Sequence, residues 1–204
     1  MVQKSKSRGR PRAYDPGAAL DSAAQLFWQR GFADATLDDL GEAMGMRRPS
    51  IYNAFGDKES LFLRALERFR DTIAATPLHA FAEADSIREA LDALFRQTVE
   101  YTTADASHLG CLLGNIAPAT ALPNVRRFLK ANLATTEERI AERLSAAVQT
   151  GELPSDYSAE QGAHDAVNAM LSLAARARLG SSREDLLGDA ARATAIVLGM
   201  PRTP

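Results

Sequence analysis

An all-α protein is predicted, and three observations predict it. Ala, Leu, Arg and Glu are common, and aromatic residues make up only 6% of the 204-residue chain. That balance favours helix over strand. Apolar residues recur at helical spacing through several long segments, as they do on one face of an amphipathic helix. Those segments open on Ser, Thr or Asp and close on Gly, which are start and stop signals of helices. No strand alternation and no internal repeat competes with this reading.

The first helix is expected from Pro16 to Arg30. Leu20, Ala23, Ala24 and Phe27 form one apolar stripe. Pro16 suits a first turn and Gly31 a stop. Next comes ATLDDLGEAMGM, where Thr36 is a good N-cap and Asp39, three residues on, makes a variant capping box. Leu37, Leu40 and Met44 share a face, and Gly45 ends this short helix. A third helix begins almost at once, near Arg48. Two short helices around a Gly-containing turn make a helix-turn-helix pattern.

The third helix lies in RRPSIYNAFGDKESLF. Pro49 lacks an amide hydrogen, which costs nothing in a first turn. Ile51 and Phe55 are four apart and pack back on the first two helices, while Tyr52 and Asn53 point elsewhere. Arg47, Arg48 and Ser50 gather at the N-terminal end. In a helix-turn-helix, that end of the second helix meets base edges in the major groove. Arg can pair with guanine in bidentate fashion and Asn with adenine, and the helix N-terminus favours phosphate. The same spacing also occurs as plain packing of short helices, and both readings stay open at this point.

A fourth helix follows Asp57, a cap, and runs to about Ala75, with Phe62, Leu66, Phe69 and Ile73 on one side. Later helices are expected over 86–103, 109–120, 125–150, 159–179 and 183–198, with Ser86, Ser158 and Ser182 as caps. Leu129, Leu133, Thr136, Ile140, Leu144 and Ala147 keep a stripe along the longest one. TPLHAFAEAD and GELPSDY read as connections.

Composition bounds the function. No apolar run reaches membrane-span length, and the basic N-terminus lacks the apolar segment of a signal peptide. The one cysteine, Cys111, allows no disulfide within the chain, which fits a reducing, cytoplasmic setting. The net charge of −2 hides an asymmetry: residues 1–70 hold twelve Lys/Arg against nine Asp/Glu. The first fourteen residues carry five cations and no acid. Such an arm has too little apolar surface to fold alone, and its partner is either nucleic acid or simply water.

Residues 12–64 resemble the TetR family of bacterial transcriptional regulators. The resemblance is carried by AALDSAAQLFWQRGFADATLDDLGEAMGMRRPSIYNAFGDKESLF. The family's pattern falls on Ala23, Leu26, Phe27, Gly31, Phe32, Thr36, Gly45, Ile51, Tyr52, Phe55, Lys58, Glu59 and Leu61. It implies a homodimer that binds a palindromic operator on double-stranded DNA, usually to repress, and lets go when a small effector binds the C-terminal domain. It implies no cofactor, no catalytic site and no membrane. By motif position Thr36, Tyr52 and Lys58 would contact phosphate. Arg47, Arg48, Pro49, Ser50 and Asn53 would sit at or near bases. Arg8, Arg10 and Arg12 of the arm would enter the minor groove, as arms of this kind do. One departure stands out: Arg47 takes the cap position often held by Ser or Asn, and its side chain cannot accept a hydrogen bond. The implied organisation is a basic arm (1–14), a three-helix DNA-binding module (15–60) and a larger helical effector-binding and dimerisation domain (61–204), about nine helices in all. The last two helices would build the dimer's four-helix bundle. GCLLGN (110–115) resembles a branch with a similar Gly-Cys-Leu-Leu segment in its sensor domain.

Candidate effector-pocket residues are Phe62, Phe69, Phe95, Tyr101 and Phe128, on helices that enclose the pocket in similar proteins, with His108, Cys111, Asn115, His164 and Asn168. Apolar positions at helical spacing also read as core. Cys111 reads as a small buried hydrophobe, or as a thiol sensing oxidants or metals if exposed and ionised. His108 and Cys111 alone are too few for a zinc site. Arg126, Arg127 and Lys130 read as a solvated face or as partners of an anionic effector. A helical enzyme is disfavoured: the chain has no Gly-rich phosphate loop, nucleophile elbow or metal-binding His/carboxylate motif. A nonspecific DNA-binding protein is the remaining alternative.

Overall fold

The computed structural model describes residues 15–105 and 110–199. Within them the chain forms nine α-helices and no strand. The basic arm with Arg8, Arg10 and Arg12, and His108, lie outside the described residues.

α1 (Pro16–Asp34) is capped by Asp15, whose carboxylate accepts from the Gly17 amide at 2.8 Å. It breaks at Gly31, where φ is 77°, a backbone state that favours glycine. α2 (Leu37–Met44) and α3 (Arg48–Phe55) follow. α4 (Lys58–Thr72) is capped by Asp57, which accepts from the Ser60 amide at 2.8 Å. α1 packs along α4 and against α2. The rings of Phe27 and Phe62, with centroids 4.6 Å apart, and of Trp28 and Phe69, 4.9 Å apart and edge-on, fill the space between α1 and α4.

α6 (Ile87–Thr102), α7 (Pro123–Thr150), α8 (Ala159–Arg178) and α9 (Arg183–Val197) fall where periodicity places them, with Ser86, Ser158 and Ser182 as caps. α6 packs on both α8 and α9, and α7 on α8. Leu91, Leu94, Phe95, Ile140, Leu144 and Leu186 are fully buried at the centre of this second core.

Two expectations are corrected. TPLHAFAEAD is not a connection, because Thr76–Glu83 forms α5. Its Pro77 sits in the first turn, where a missing amide hydrogen costs nothing. Phe81 is buried among side chains of the second core. Conversely, residues 110–119 form no regular α-helix: Leu112–Ile116 is a π-turn and Ala117–Ala119 a 3-10 turn. Gly110 has φ 84°, and a Cβ there would lie 2.8 Å from the Asn115 side-chain oxygen and 2.9 Å from the Arg178 Cβ. Gly114 and Pro118 further weaken α propensity in this stretch.

Candidate nucleic-acid interface and ligand cavity

The helix-turn-helix is built by caps. Thr36 Oγ1 accepts from the Asp39 amide at 3.1 Å, and Asp39 accepts from the Thr36 amide at 3.0 Å, a reciprocal capping box. Asp39 also pairs with Arg30 at 2.9 Å. Hydrogen bonds from Thr36, and then the Arg30 guanidinium, hold its carboxyl below the usual carboxylate range. The turn closes through Gly45 in the left-handed region and through the Met46 amide, which donates to the Gly41 carbonyl at 2.8 Å. Leu40, Ile51 and Phe55 then bury against α1 and α4.

This leaves the other face of α3 to solvent. Arg47, Arg48, Pro49, Ser50, Tyr52 and Asn53 are all exposed, and so is Thr36. Tyr52 is 51% exposed, unusual for an aromatic with no core to serve. Arg47 occupies the N-cap position and its side chain makes no capping bond. Its backbone carbonyl accepts from the Ser50 and Ile51 amides at 2.8 and 3.1 Å.

Two cations are already engaged. Arg48 donates from Nε and Nη2 to the two carboxylate oxygens of Asp38 on α2. Sequence reading missed Asp38, since nothing in its spacing marks a partner ten residues on. Lys58 lies 4.6 Å over the Phe32 ring centroid and donates to the Ala33 carbonyl at 3.3 Å. Partial burial lowers its pKa, and nearby Asp34 opposes that shift.

The second half forms an open cavity of about 430 Å³ between α5, α6, the π-turn, α7 and α8. Its size is that of a small-molecule site. Tyr101 and Cys111 line it. Burial raises the Cys111 thiol pKa, and raises that of Tyr101 well above its usual value. The other expected pocket residues stand elsewhere. Phe62, Phe69 and Phe95 are core side chains with 1% exposure or less. Phe128 is half-buried beneath the Arg70 guanidinium. Asn115 accepts from the Cys111 amide at 2.8 Å and faces a separate cleft beside α1. Asn168 is exposed, and His164 faces Glu137 across α7 and α8 at 3.3 Å on the outside. Proximity along a helix misassigned them, because one turn decides whether a residue faces core, cavity or water.

Residues that the sequence did not assign to the cavity line it instead, among them Leu78, Leu113, Thr136, Val167 and Met170. The α7 stripe held the signal. Its far half, Ile140, Leu144 and Ala147, is core, while its near half, Leu129, Leu133 and Thr136, walls the cavity. Among the described residues, no group of three His, Cys, Asp or Glu side chains could hold a metal, and no helix is long and apolar enough to cross a membrane.

The profile "Bacterial regulatory proteins, tetR family" matches residues 19–65, and "Tetracyclin repressor-like, C-terminal domain" matches 86–194. The chain belongs to the TetR family of bacterial transcriptional regulators. It is 33% identical over 187 residues to the HTH-type transcriptional repressor ComR of Escherichia coli (strain K12), covering 89% of this chain and 88% of that protein. Among solved structures it is similar to a cysteine-substituted TetR family transcriptional regulator CifR complexed with 26-bp double-strand operator DNA. That match has TM-score 0.83 and 35% identity, over 91% of this chain and 98% of that one. AibR, crystallised with isovaleryl coenzyme A and operator DNA, shares the fold at TM-score 0.68 and 20% identity, over 89% and 96% of the two chains.

Proposed function

We propose that this TetR-family chain is a homodimeric repressor of a palindromic operator, released by a small molecule that enters the cavity lined by α5 to α8. The supporting observation is the division of α3. Ile51 and Phe55 hold it to the core, while Arg47, Ser50, Tyr52 and Asn53 stand free at one surface. In this reading Arg47, Ser50 and Asn53 reach base edges, and Thr36, Tyr52 and Lys58 hold phosphate. Pro49 fixes the first turn of α3, and the arm's Arg8, Arg10 and Arg12 enter the minor groove. Dimerisation runs through α8 and α9, which carry the exposed Leu171, Leu187 and Ile196.

Selection of binding sites from random duplex DNA, at a stated salt concentration, tests the reading. An inverted repeat is expected. Binding that shows no sequence preference and fades with salt would mark a nonspecific binder instead. One observation favours an input through Cys111, namely its place in the cavity wall. Burial opposes it by keeping the thiol protonated. Cys111→Ser with an unchanged response to oxidants removes that input.

A further inference from the structure

We infer that the cavity selects an anionic amphiphile, with an apolar body inside and a single oxyanion head held at the mouth by Arg126 and Lys130. This rests on the cavity being the effector site. α7 opens with three cations, and two of them, Arg126 and Lys130, one helical turn apart, line the cavity, while Arg127 does not. Behind them the same helix presents Leu129 and Leu133, and α8 presents Met170.

The charge pattern decides the ligand class. Among the described residues, no Asp or Glu lines the cavity. Arg30, Arg48, Arg68, Arg70, Arg176, Arg183 and Arg192 each pair with a carboxylate. Arg126 and Lys130 form no ion pair with any described residue. A cationic ligand would be repelled there. Both cations are exposed, so a neutral ligand would gain nothing from either. An oxyanion gains charge-assisted hydrogen bonds from both and lies near the positive end of α7. The Cys111 thiol in the wall is buried, and burial keeps both it and the Tyr101 hydroxyl protonated. An ionised head buried there would be left without a counter-charge, so the head sits outward and the apolar body inward.

Two dyes of nearly equal shape test this by fluorescence titration of the full chain: 1-anilinonaphthalene-8-sulfonate and its uncharged parent, N-phenyl-1-naphthylamine. The ratio of their affinities is expected to fall about tenfold in Arg126→Gln/Lys130→Gln, the size of one or two charge-assisted bonds partly open to solvent. It is expected to hold in the charge-conserving Arg126→Lys/Lys130→Arg. A ratio unchanged in the glutamine variant overturns the anion site. If neither dye binds, the cavity is not a ligand site and both readings fall. If the ratio drops as expected but the anionic dye leaves the protein on its selected DNA, the anion site stands and effector-driven release fails for this ligand.

Discussion

At the scale of single residues, the cations around the helix-turn-helix are not equivalent. Arg48 is held in a two-pronged grip by Asp38, so its charge is shared before any DNA arrives. Asp38→Asn removes an acid from the surface that meets DNA and frees the guanidinium. The variant is expected to bind all duplexes more tightly, with a salt dependence steeper by about one charge. The ratio of operator to scrambled-duplex affinity should shrink, because phosphate contacts carry no sequence information. Parallel titrations on both duplexes at several salt concentrations measure this, and an unchanged ratio counts against it. Lys58 serves two tasks. Lys58→Ala should weaken binding to all sequences alike and flatten the salt slope by about one. It should also destabilise the fold by about 0.5–1 kcal/mol, because the cation rests on the Phe32 ring. Urea unfolding separates the second effect from the first.

Elements show which parts of the sequence spoke clearly. α2, α4 and α6, capped by Thr36, Asp57 and Ser86, were legible because cap and apolar stripe agree. α5 was hidden by its shortness and by a proline that looks like a break but sits where a helix tolerates it. The 110–119 segment misled in the other direction, since its apolar residues keep a helical look while Gly110, Gly114 and Pro118 deny it an α-helix. The exposed face of α3 follows from its sequence pattern, whereas the cavity was legible only in part: Tyr101 and Cys111 line it as expected, Arg126 and Lys130, open between solvent and ligand, line it too, and Phe62, Phe69 and Phe95 lie in the core. Sequence spacing orders residues around one helix, but not which neighbour that helix turns them towards. The α2–α3 turn gives a prediction at this scale. A Cβ on Gly41 would lie 2.7 Å from the Met46 carbonyl oxygen, closer than a backbone atom tolerates. Gly41→Ala should therefore tilt α3 and lose operator affinity at least tenfold, as misplacement of a base-reading helix does. Hydrogen exchange should show looser protection in α2 and α3 while α6, α8 and α9 stay protected.

Over the whole molecule, two cores share the chain, and their border does not fall at the end of α3. Leu61, Phe62, Ala65, Leu66 and Phe69 of α4 belong to the DNA-binding core, and so do Cys111 to Ile116 and Val125. Phe62→Ala should cost about 3–5 kcal/mol, the usual loss for an emptied phenylalanine site, and calorimetry should show the N-terminal core melting first. Stability should also depend on alkaline pH. Cys111 and Tyr101 have pKa values raised by burial, above their ordinary 9.0 and 10.0. The folded state keeps both protons where the unfolded chain would release them. Their contribution is fully present below about pH 9 and is lost as pH rises through the raised values. Urea midpoints from pH 7 to 10 should fall less steeply for Cys111→Ala than for the parent chain, and equal slopes would refute the linkage.

The stretch from Cys111 to Ala119 is a partition between two rooms. Cys111, Leu113 and Gly114 face the cavity lined by α7 and α8, while Asn115, Ile116 and Ala119 face the cleft against the end of α1. Its winding is uneven: the Asn115 amide closes an ordinary α-type bond to the Cys111 carbonyl, and the Ala117 amide reaches back five residues to Leu112. A partition wound this way has a residue of slack. Drawing in that slack would swing Asn115 and Ile116 around the axis with few bonds lost, since each donor has a neighbouring carbonyl to take up. A guest on one side would thus be felt as a changed doorframe on the other, beside the end of α1, the helix on which α2 packs.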